Sequence, residues 1–120
     1  MYPDRLLEHF ANPRNVGQLA PPAVAVEASN PACGDVLRLS ARFEAGRAVD
    51  VRYNVRGCTA SIAAGSALTE WLRGKTRAEM AAFHPSIVDQ ALGGLPPASK
   101  HAASLCADGL KLLLAEVADV

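Results

Sequence analysis

Residues 36–56 read VLRLSARFEAGRAVDVRYNVR, and this stretch decides the fold. Apolar residues occupy every second position on both sides of a central turn. Such alternation over two runs is typical of an antiparallel hairpin with one face toward the core and one toward water. The joining residues 44–46 (EAG) predict a three-residue loop, with Gly46 in its left-handed position.

The same alternation restricts the register of the hairpin. Apolar residues must face apolar residues across the two strands, so paired residue numbers should sum to about 90 or 92. The positions of Cys33 and Cys58 sum to 91. Either register therefore leaves these cysteines about one residue from direct opposition at the open end of the hairpin, provided that the pairing continues that far. This proximity is the reason, from pattern alone, to place both thiols in one site.

Outside the hairpin, helical patterns dominate. The segments predicted, in chain order, are a short helix over residues 4–10, a weak strand over 24–28, a helix over 60–72, a helix through residue 83 that starts at a capping box of Thr76 and Glu79, a helix capped by Ser86 that stops at residues 93–94, and a final helix over about 99–117. Strands followed by helices predict an α+β domain, with helices covering one face of a small sheet.

Length, composition and charge exclude several classes of protein. A chain of 120 residues with 50% hydrophobic and 20% charged residues is expected to form one domain over residues 1–120. A formal net charge of zero argues against a nucleic-acid partner. No segment approaches the ~20 apolar residues of a membrane helix, and the first residues lack an apolar signal region. We therefore expect a cytoplasmic protein without membrane contact.

Three cysteines, Cys33, Cys58 and Cys106, are widely spaced and odd in number. This does not indicate a disulfide framework, and no C-x-x-C pair is present. From spacing alone, the expectation is that they are buried cysteines, because free cysteine is among the most buried residue types.

Two of the cysteines also have a functional interpretation. Cys33 and Asp35 would point to the same side of an extended backbone, but on spacing alone residues 30–35 (NPACGD) are more typical of a turn that enters a strand. Cys58 joins a strand to a helix amino end, where the helix dipole favours a thiolate, but a small residue buried at a tight junction is the alternative.

The three histidines carry less information than the cysteines. His9, His84 and His101 are each interpreted as partly exposed polar residues. His101 becomes a ligand candidate only if the start of the last helix lies beside the open end of the hairpin. Cys58 and His101 could also form a hydrolase pair, but no motif for an oxyanion hole accompanies them.

Four motifs together resemble the IscU/NifU family of iron–sulfur scaffold proteins. They are residues 12–17 (NPRNVG) within the amino-terminal signature, residues 33–35 (CGD), residues 57–58 (GC) before a helix with residues 69–71 (TEW), and residues 95–97 (LPP) followed by His101. The similarity runs over nearly the whole chain, with the motifs in the same order and at closely similar spacing.

The resemblance implies a fold, a function and a site. It implies a three-stranded antiparallel sheet with helices on one face. It also implies a scaffold rather than an enzyme, which receives sulfur from a cysteine desulfurase, assembles a transient [2Fe–2S] and sometimes a [4Fe–4S] cluster, and passes it to apo-proteins. The implied ligands are Cys33, Cys58 and His101, with Asp35 as a labile ligand. Isolated members of the family often carry zinc in the same site.

The chain departs from the family pattern at two places. Ala102 replaces a cysteine that usually follows the histidine, so that sulfur would have to be accepted by Cys33 or Cys58. Cys106 lies one helical turn later on an apolar stripe, about 5.4 Å further along the axis, and is expected to be a buried core cysteine. Ala98 and Ser99 replace the family's usual Val-Lys, which places recognition by an Hsp70-type chaperone in doubt.

These departures leave two alternatives to an active scaffold. One is a zinc-binding sulfur acceptor that no longer builds clusters. The sulfur-accepting branch of the family usually has an insertion before the third motif, whereas only 42 residues separate Cys58 from His101 here. The other alternative is a degenerate module without metal that keeps the fold and its partner surface.

Overall fold

The computed structural model describes residues 2–31 and 34–117. In chain order the elements are α1 (Asp4–Ala11), β1 (Val24–Asn30), β2 (Asp35–Glu44), β3 (Arg47–Arg56), α2 (Thr59–Leu72), α3 (Arg77–Ala81), α4 (Pro85–Ala91), a 3₁₀ turn (Pro97–Ser99) and α5 (His101–Glu116). The α+β class, the weakly patterned first strand and the long C-terminal helix are all confirmed. The prediction of a single domain over residues 1–120 stays a prediction.

The hairpin of β2 and β3 adopts one of the two registers that the alternation allowed. Leu37 pairs with Val55 and Leu39 pairs with Tyr53, so that paired residue numbers sum to 92. The register shifts by one residue near the turn, between Arg42 and Phe43. Strand β1 adds to the other side of β2, which gives an antiparallel sheet of order β1-β2-β3. The three-stranded sheet implied by the family resemblance is therefore confirmed.

The turn of the hairpin differs from the prediction. Glu44 pairs with Arg47, so the loop contains two residues rather than three. Both loop residues have positive φ angles, 53° at Ala45 and 78° at Gly46. Two successive left-handed residues match the right-handed twist of the flanking strands, which is why two-residue hairpins favour this geometry. The sequence did not indicate this two-residue turn, because alanine rarely adopts a positive φ angle.

Helices α2 and α5 cover the same face of the sheet. Gly65 of α2 approaches the Tyr53 ring, and Gly109 of α5 approaches the Leu37 side chain. Tyr53 and Leu37 lie on one face because Leu39, two residues beyond Leu37, is the strand partner of Tyr53. All three sheet side chains are buried. The helices thus cover one face of the sheet, as predicted.

The shorter helices show small departures from their predicted limits. The capping box of Thr76 and Glu79 is present, but α3 ends at Ala81 rather than residue 83. Helix α4 is capped by the ring of His84, which accepts a hydrogen bond from the Ser86 amide, so Ser86 is not the capping residue. The long final helix also differs slightly from its prediction. It was expected to start at about residue 99, but residues 97–99 form the 3₁₀ turn and α5 begins at residue 101.

None of the helices in the described ranges 2–31 and 34–117 has the length and apolar character needed to cross a membrane.

Candidate metal centre

Three separate chain segments meet at the open end of the hairpin. Asp35 is the first residue of β2, and Cys58 follows β3 as the residue that precedes α2. His101 is the first residue of α5. The antiparallel register brings the start of β2 beside the end of β3, and the packing of α5 on the sheet brings its amino end to the same rim. The condition set for His101 is therefore met.

The side chains of these residues converge on a common point. The Cys58 thiol donates to Asp35 Oδ2 over 3.5 Å, and Cys58 Sγ lies 3.6 Å from His101 Nε2. Asp35 Oδ2 lies 3.4 Å from the same imidazole nitrogen. One potential ligand atom from each residue lies within 4.8 Å of the others. A thiol, a carboxylate and an imidazole at these separations form a donor set suited to zinc or iron.

The geometry suits a metal site better than a catalytic triad. In a triad, an acid orients the histidine through the ring nitrogen that does not face the nucleophile. Here both Asp35 Oδ2 and Cys58 Sγ face Nε2 of His101. Asp35 therefore cannot orient the ring in this way. The three groups are therefore not arranged as an acid–histidine–nucleophile triad.

Asp35 is buried, with 5% of its surface exposed. Burial by itself would raise the pKa of this carboxyl group, but hydrogen bonds from Ser61 and Cys58 outweigh that effect and lower the pKa. The bond from Ser61 Oγ to Asp35 Oδ2 is 2.5 Å long. Asp35 is therefore held as a carboxylate, which is the form that binds a metal ion.

Ser61 is the site residue that the sequence analysis did not single out. Its hydroxyl also lies 3.4 Å from Cys58 Sγ. The available signal was its position three residues after Cys58, because residues three apart share a face of a helix. That signal was weak, since a serine among the alanines of α2 is equally typical of a close-packed helix.

The close approach of Asp35 explains why residue 57, directly before the cysteine, is a glycine. A Cβ atom at this position would lie 2.6 Å from Asp35 Cγ and 2.7 Å from Asp35 Oδ1. Real side chains do not approach so closely, so any other residue would displace the carboxylate. The absence of a side chain at position 57 thus allows β3 to pass directly against Asp35.

The segment before His101 is held in place by Asp89 of α4. Asp89 Oδ1 accepts a hydrogen bond from the Leu95 amide over 2.5 Å, and Oδ2 accepts one from Lys100 Nζ over 3.1 Å. The bond from the Leu95 amide is the main reason that the pKa of Asp89 is lowered. Asp89 therefore anchors the chain on both sides of the 3₁₀ turn that delivers His101 to the site.

Cys33 lies outside the described residues, so its place among the ligands stays a prediction. The third cysteine has a clear location. Cys106 is 2% exposed, and burial raises the pKa of its thiol to about 12. The prediction of a buried core cysteine is confirmed. Ala102, at the position where the family has its third cysteine, is also fully buried.

The two remaining histidines have different roles. His84 is exposed and caps α4, which agrees with a polar residue outside the site. The interpretation of His9 as partly exposed was wrong. Its ring is buried, and Nδ1 lies 2.8 Å from Ser66 Oγ in α2. This contact joins α1 to α2 and leaves His9 remote in role from the candidate metal site.

Comparison with known proteins agrees with this fold. The profile of the NifU-like N terminal domain matches residues 1–117. The iron–sulfur cluster assembly scaffold protein IscU 1 of Archaeoglobus fulgidus is 38% identical over 111 residues, which cover 92% of this chain and 72% of that protein. IscU of Azotobacter vinelandii, named in the same way, is 36% identical over 92% of this chain and 88% of its own length.

A solved structure supports the fold independently. A scaffold protein of the SUF system from Fervidobacterium islandicum superposes with a TM-score of 0.77 over 94% of this chain and 96% of that chain, at 21% sequence identity. The profile match spans nearly the whole sequence, and the two identities above 30% each extend over more than two thirds of the length of the relative concerned. The chain therefore belongs to the NifU-like N-terminal domain family.

Proposed function

We propose that this protein is a scaffold on which iron–sulfur clusters are assembled and from which they are transferred. The cluster is cargo rather than a resident cofactor, and its proposed ligands are Cys33, Asp35, Cys58 and His101. The observation that carries the proposal is the convergence of Asp35, Cys58 and His101 within 4.8 Å. Membership in a family that includes curated proteins named cluster assembly scaffolds supports it.

The donor set fits such a cargo. Thiolates suit iron–sulfur clusters, and imidazole nitrogen replaces thiolate in some [2Fe–2S] centres. A carboxylate is a harder and weaker ligand for a cluster than a thiolate, so Asp35 is the ligand best suited to leave during transfer. The same four groups would also satisfy a tetrahedral zinc ion, which accounts for zinc as an expected occupant of the isolated protein.

The site is accessible enough for exchange. Cys58 and His101 are half-buried at the rim of the sheet, whereas Asp35 is buried below them. The thiol and the imidazole can therefore meet a protein that delivers sulfur or receives a cluster. We expect a cysteine desulfurase as the donor and apo-proteins as recipients. The expectations of a role without enzymatic activity and of a cytoplasmic location remain predictions.

Burial decides which cysteines can accept sulfur. The reactive form is the thiolate, and the raised pKa of Cys106, together with its burial, keeps that thiol protonated and out of reach. Ala102 offers no thiol. Sulfur acceptance therefore falls to Cys58 and, by the family resemblance, Cys33.

Anaerobic reconstitution tests the proposal. Wild-type protein is incubated with a desulfurase, cysteine, ferrous iron and a thiol reductant that converts the delivered sulfur to sulfide, and the product is followed by visible absorption and by iron and sulfide counting. We expect a [2Fe–2S] chromophore in the wild type and in Cys106→Ala, and none in Cys33→Ala or Cys58→Ala. A wild type that builds no cluster, with assembly restored by Ala102→Cys, would overturn the proposal in favour of a specialised relative.

A further inference from the structure

Ser61 makes the shortest contact in the candidate metal centre, although it is not one of the proposed ligands. We propose that Ser61 is a positioning residue that holds the Asp35 carboxylate in the orientation needed to bind a metal ion. The inference goes beyond the proposed function and rests on it only in requiring that the site bind metal. Its basis is the set of contacts that surround the two carboxylate oxygens.

The first step concerns the hydrogen bond itself. Ser61 is 1% exposed, and its hydroxyl donates to Asp35 Oδ2 over 2.5 Å. Water cannot replace this bond readily because both residues are buried. A hydrogen bond to a charged acceptor is about twice as strong as one between neutral groups. Ser61 therefore provides the main fixed partner of Oδ2 at the base of the site.

The second step concerns the oxygen that Ser61 selects. Oδ2 is the carboxylate atom that faces the other two groups, at 3.5 Å from Cys58 Sγ and 3.4 Å from His101 Nε2. A carboxylate oxygen has two lone pairs and can accept a hydrogen bond while it binds a metal ion. Ser61 can therefore hold Oδ2 without removing it from the metal position.

The third step concerns the opposite side of the carboxylate. Oδ1 and Cγ of Asp35 lie so close to Gly57 that a Cβ atom there would be only 2.7 Å and 2.6 Å away, respectively. The absence of a side chain at Gly57 leaves room for the carboxylate on this side, where the backbone of Cys58 donates to it, and Ser61 donates to Oδ2. Removal of the Ser61 hydroxyl would take away the shortest hydrogen bond to Oδ2 and loosen the carboxylate, which would then be held by the backbone and side-chain bonds from Cys58.

The expected effect follows from other metal sites. Loss of a hydrogen-bond partner that orients a ligand typically weakens metal affinity about 10–100-fold. We therefore expect Ser61→Ala to weaken zinc binding about tenfold. Alanine fits α2 well as a helix former, so the variant should fold.

The test measures zinc affinity by competition with a chromophoric chelator. The proteins compared are the wild type, Ser61→Ala, Asp35→Ala and the double variant. We expect Ser61→Ala to weaken binding in the wild-type background and to have no further effect once Asp35 is alanine. A matched control is Ser66→Ala, which removes another buried hydroxyl of α2 that contacts His9 rather than the site, and which should leave zinc affinity unchanged.

Three outcomes would overturn the inference. An equal loss of affinity in both backgrounds would show that Ser61 acts by a route other than Asp35, through its 3.4 Å contact with Cys58 Sγ or through general packing. An unchanged or higher affinity of Ser61→Ala would show that its hydroxyl does not orient Asp35 for the metal. A wild-type protein that binds no zinc would overturn the metal site as a whole, which distinguishes failure of the site from failure of the role of Ser61.

Discussion

Helices α2 and α5 have the same plan but different surroundings. Each starts at the candidate metal centre, and each packs a glycine against the sheet. Ten of the 14 residues of α2 are buried, compared with seven of the 16 in α5. Helix α2 contacts α1, α4, α5 and β3, and α5 contacts α2, α3, α4, β1 and β2, but only α5 keeps a broad exposed side. The two helices therefore should differ in how much change they tolerate.

The two described cysteines differ in reactivity because they occupy different places relative to these helices. Cys58 stands just before the first turn of α2, at the rim of the sheet, where its thiol meets Asp35 and His101. Cys106 lies in the second turn of α5, facing the core, and its thiol has a raised pKa. The thiol is thus available for metal binding just before α2 and inert within α5.

The largest difference should appear when each of these two cysteines is replaced by alanine, because only Cys58 is a proposed ligand. Cys58→Ala removes a proposed ligand, so zinc affinity should fall at least about 100-fold, which is the upper end of the loss seen for partners that only orient a ligand. Cys106→Ala should leave zinc affinity unchanged, because its thiol does not reach the site. Competition with a chromophoric chelator would measure both. A loss of affinity in Cys106→Ala would contradict the distinction between the two helices.

Substitution of the packed glycine by alanine should likewise destabilise the protein more in α2 than in α5. A Cβ atom at Gly65 would lie 2.4 Å from two ring carbons of Tyr53. That ring cannot move easily, because its hydroxyl donates to the Ile62 carbonyl over 2.7 Å and the residue is 2% exposed. Overpacking of this kind costs about 1–3 kcal/mol. Urea denaturation should show that Gly65→Ala lowers the free energy of unfolding by this amount.

Gly109→Ala is the matched control in α5. Its Cβ atom would lie 2.7 Å from Cδ2 of Leu37, which is the end of a flexible side chain. Rotation of Leu37 should relieve the contact, and alanine gains about 1 kcal/mol of helix propensity over glycine. We therefore expect a free energy of unfolding close to that of the wild type. If both variants lost the same stability, the idea that α2 is the more constrained helix would fail.

Much of this architecture could be predicted from the hairpin. Alternation at Leu37, Leu39, Val51, Tyr53 and Val55 left only two registers, because each side chain is directed to one face of the sheet. The turn was missed for a local reason, since Ala45 adopts a left-handed φ that its residue type does not indicate. Regular patterns report burial well, but they do not report single backbone angles.

The site was predictable only in part. The register and the family resemblance together identified Asp35, Cys58 and His101, because those residue types have recognisable metal chemistry. Ser61 and His9 were missed or misread, because their roles depend on partners that are 26 and 57 residues away in the chain. A serine or a histidine without a periodic pattern carries no sign of such a partner.

The smallest effect should appear where α1 packs on α2. Burial lowers the pKa of His9, and the nearby Arg14 guanidinium lowers it further, while Glu70 and Glu8 act in the opposite direction. The folded protein therefore favours neutral His9, whereas the unfolded chain binds a proton below about pH 6.5. Stability from this group is present above pH 6.5 and is lost as the pH falls toward the lowered folded pKa.

A comparison of two histidine variants would isolate this contribution from other titrating groups. The free energy of unfolding of the wild type should fall more steeply between pH 6.5 and 5 than that of His9→Gln, by less than the one-proton limit of about 1.4 kcal/mol per pH unit. His84→Gln, which removes an exposed imidazole, is the control for the loss of a histidine as such. Equal slopes in all three proteins would show that the buried imidazole adds no pH-dependent stability to the packing of α1 on α2.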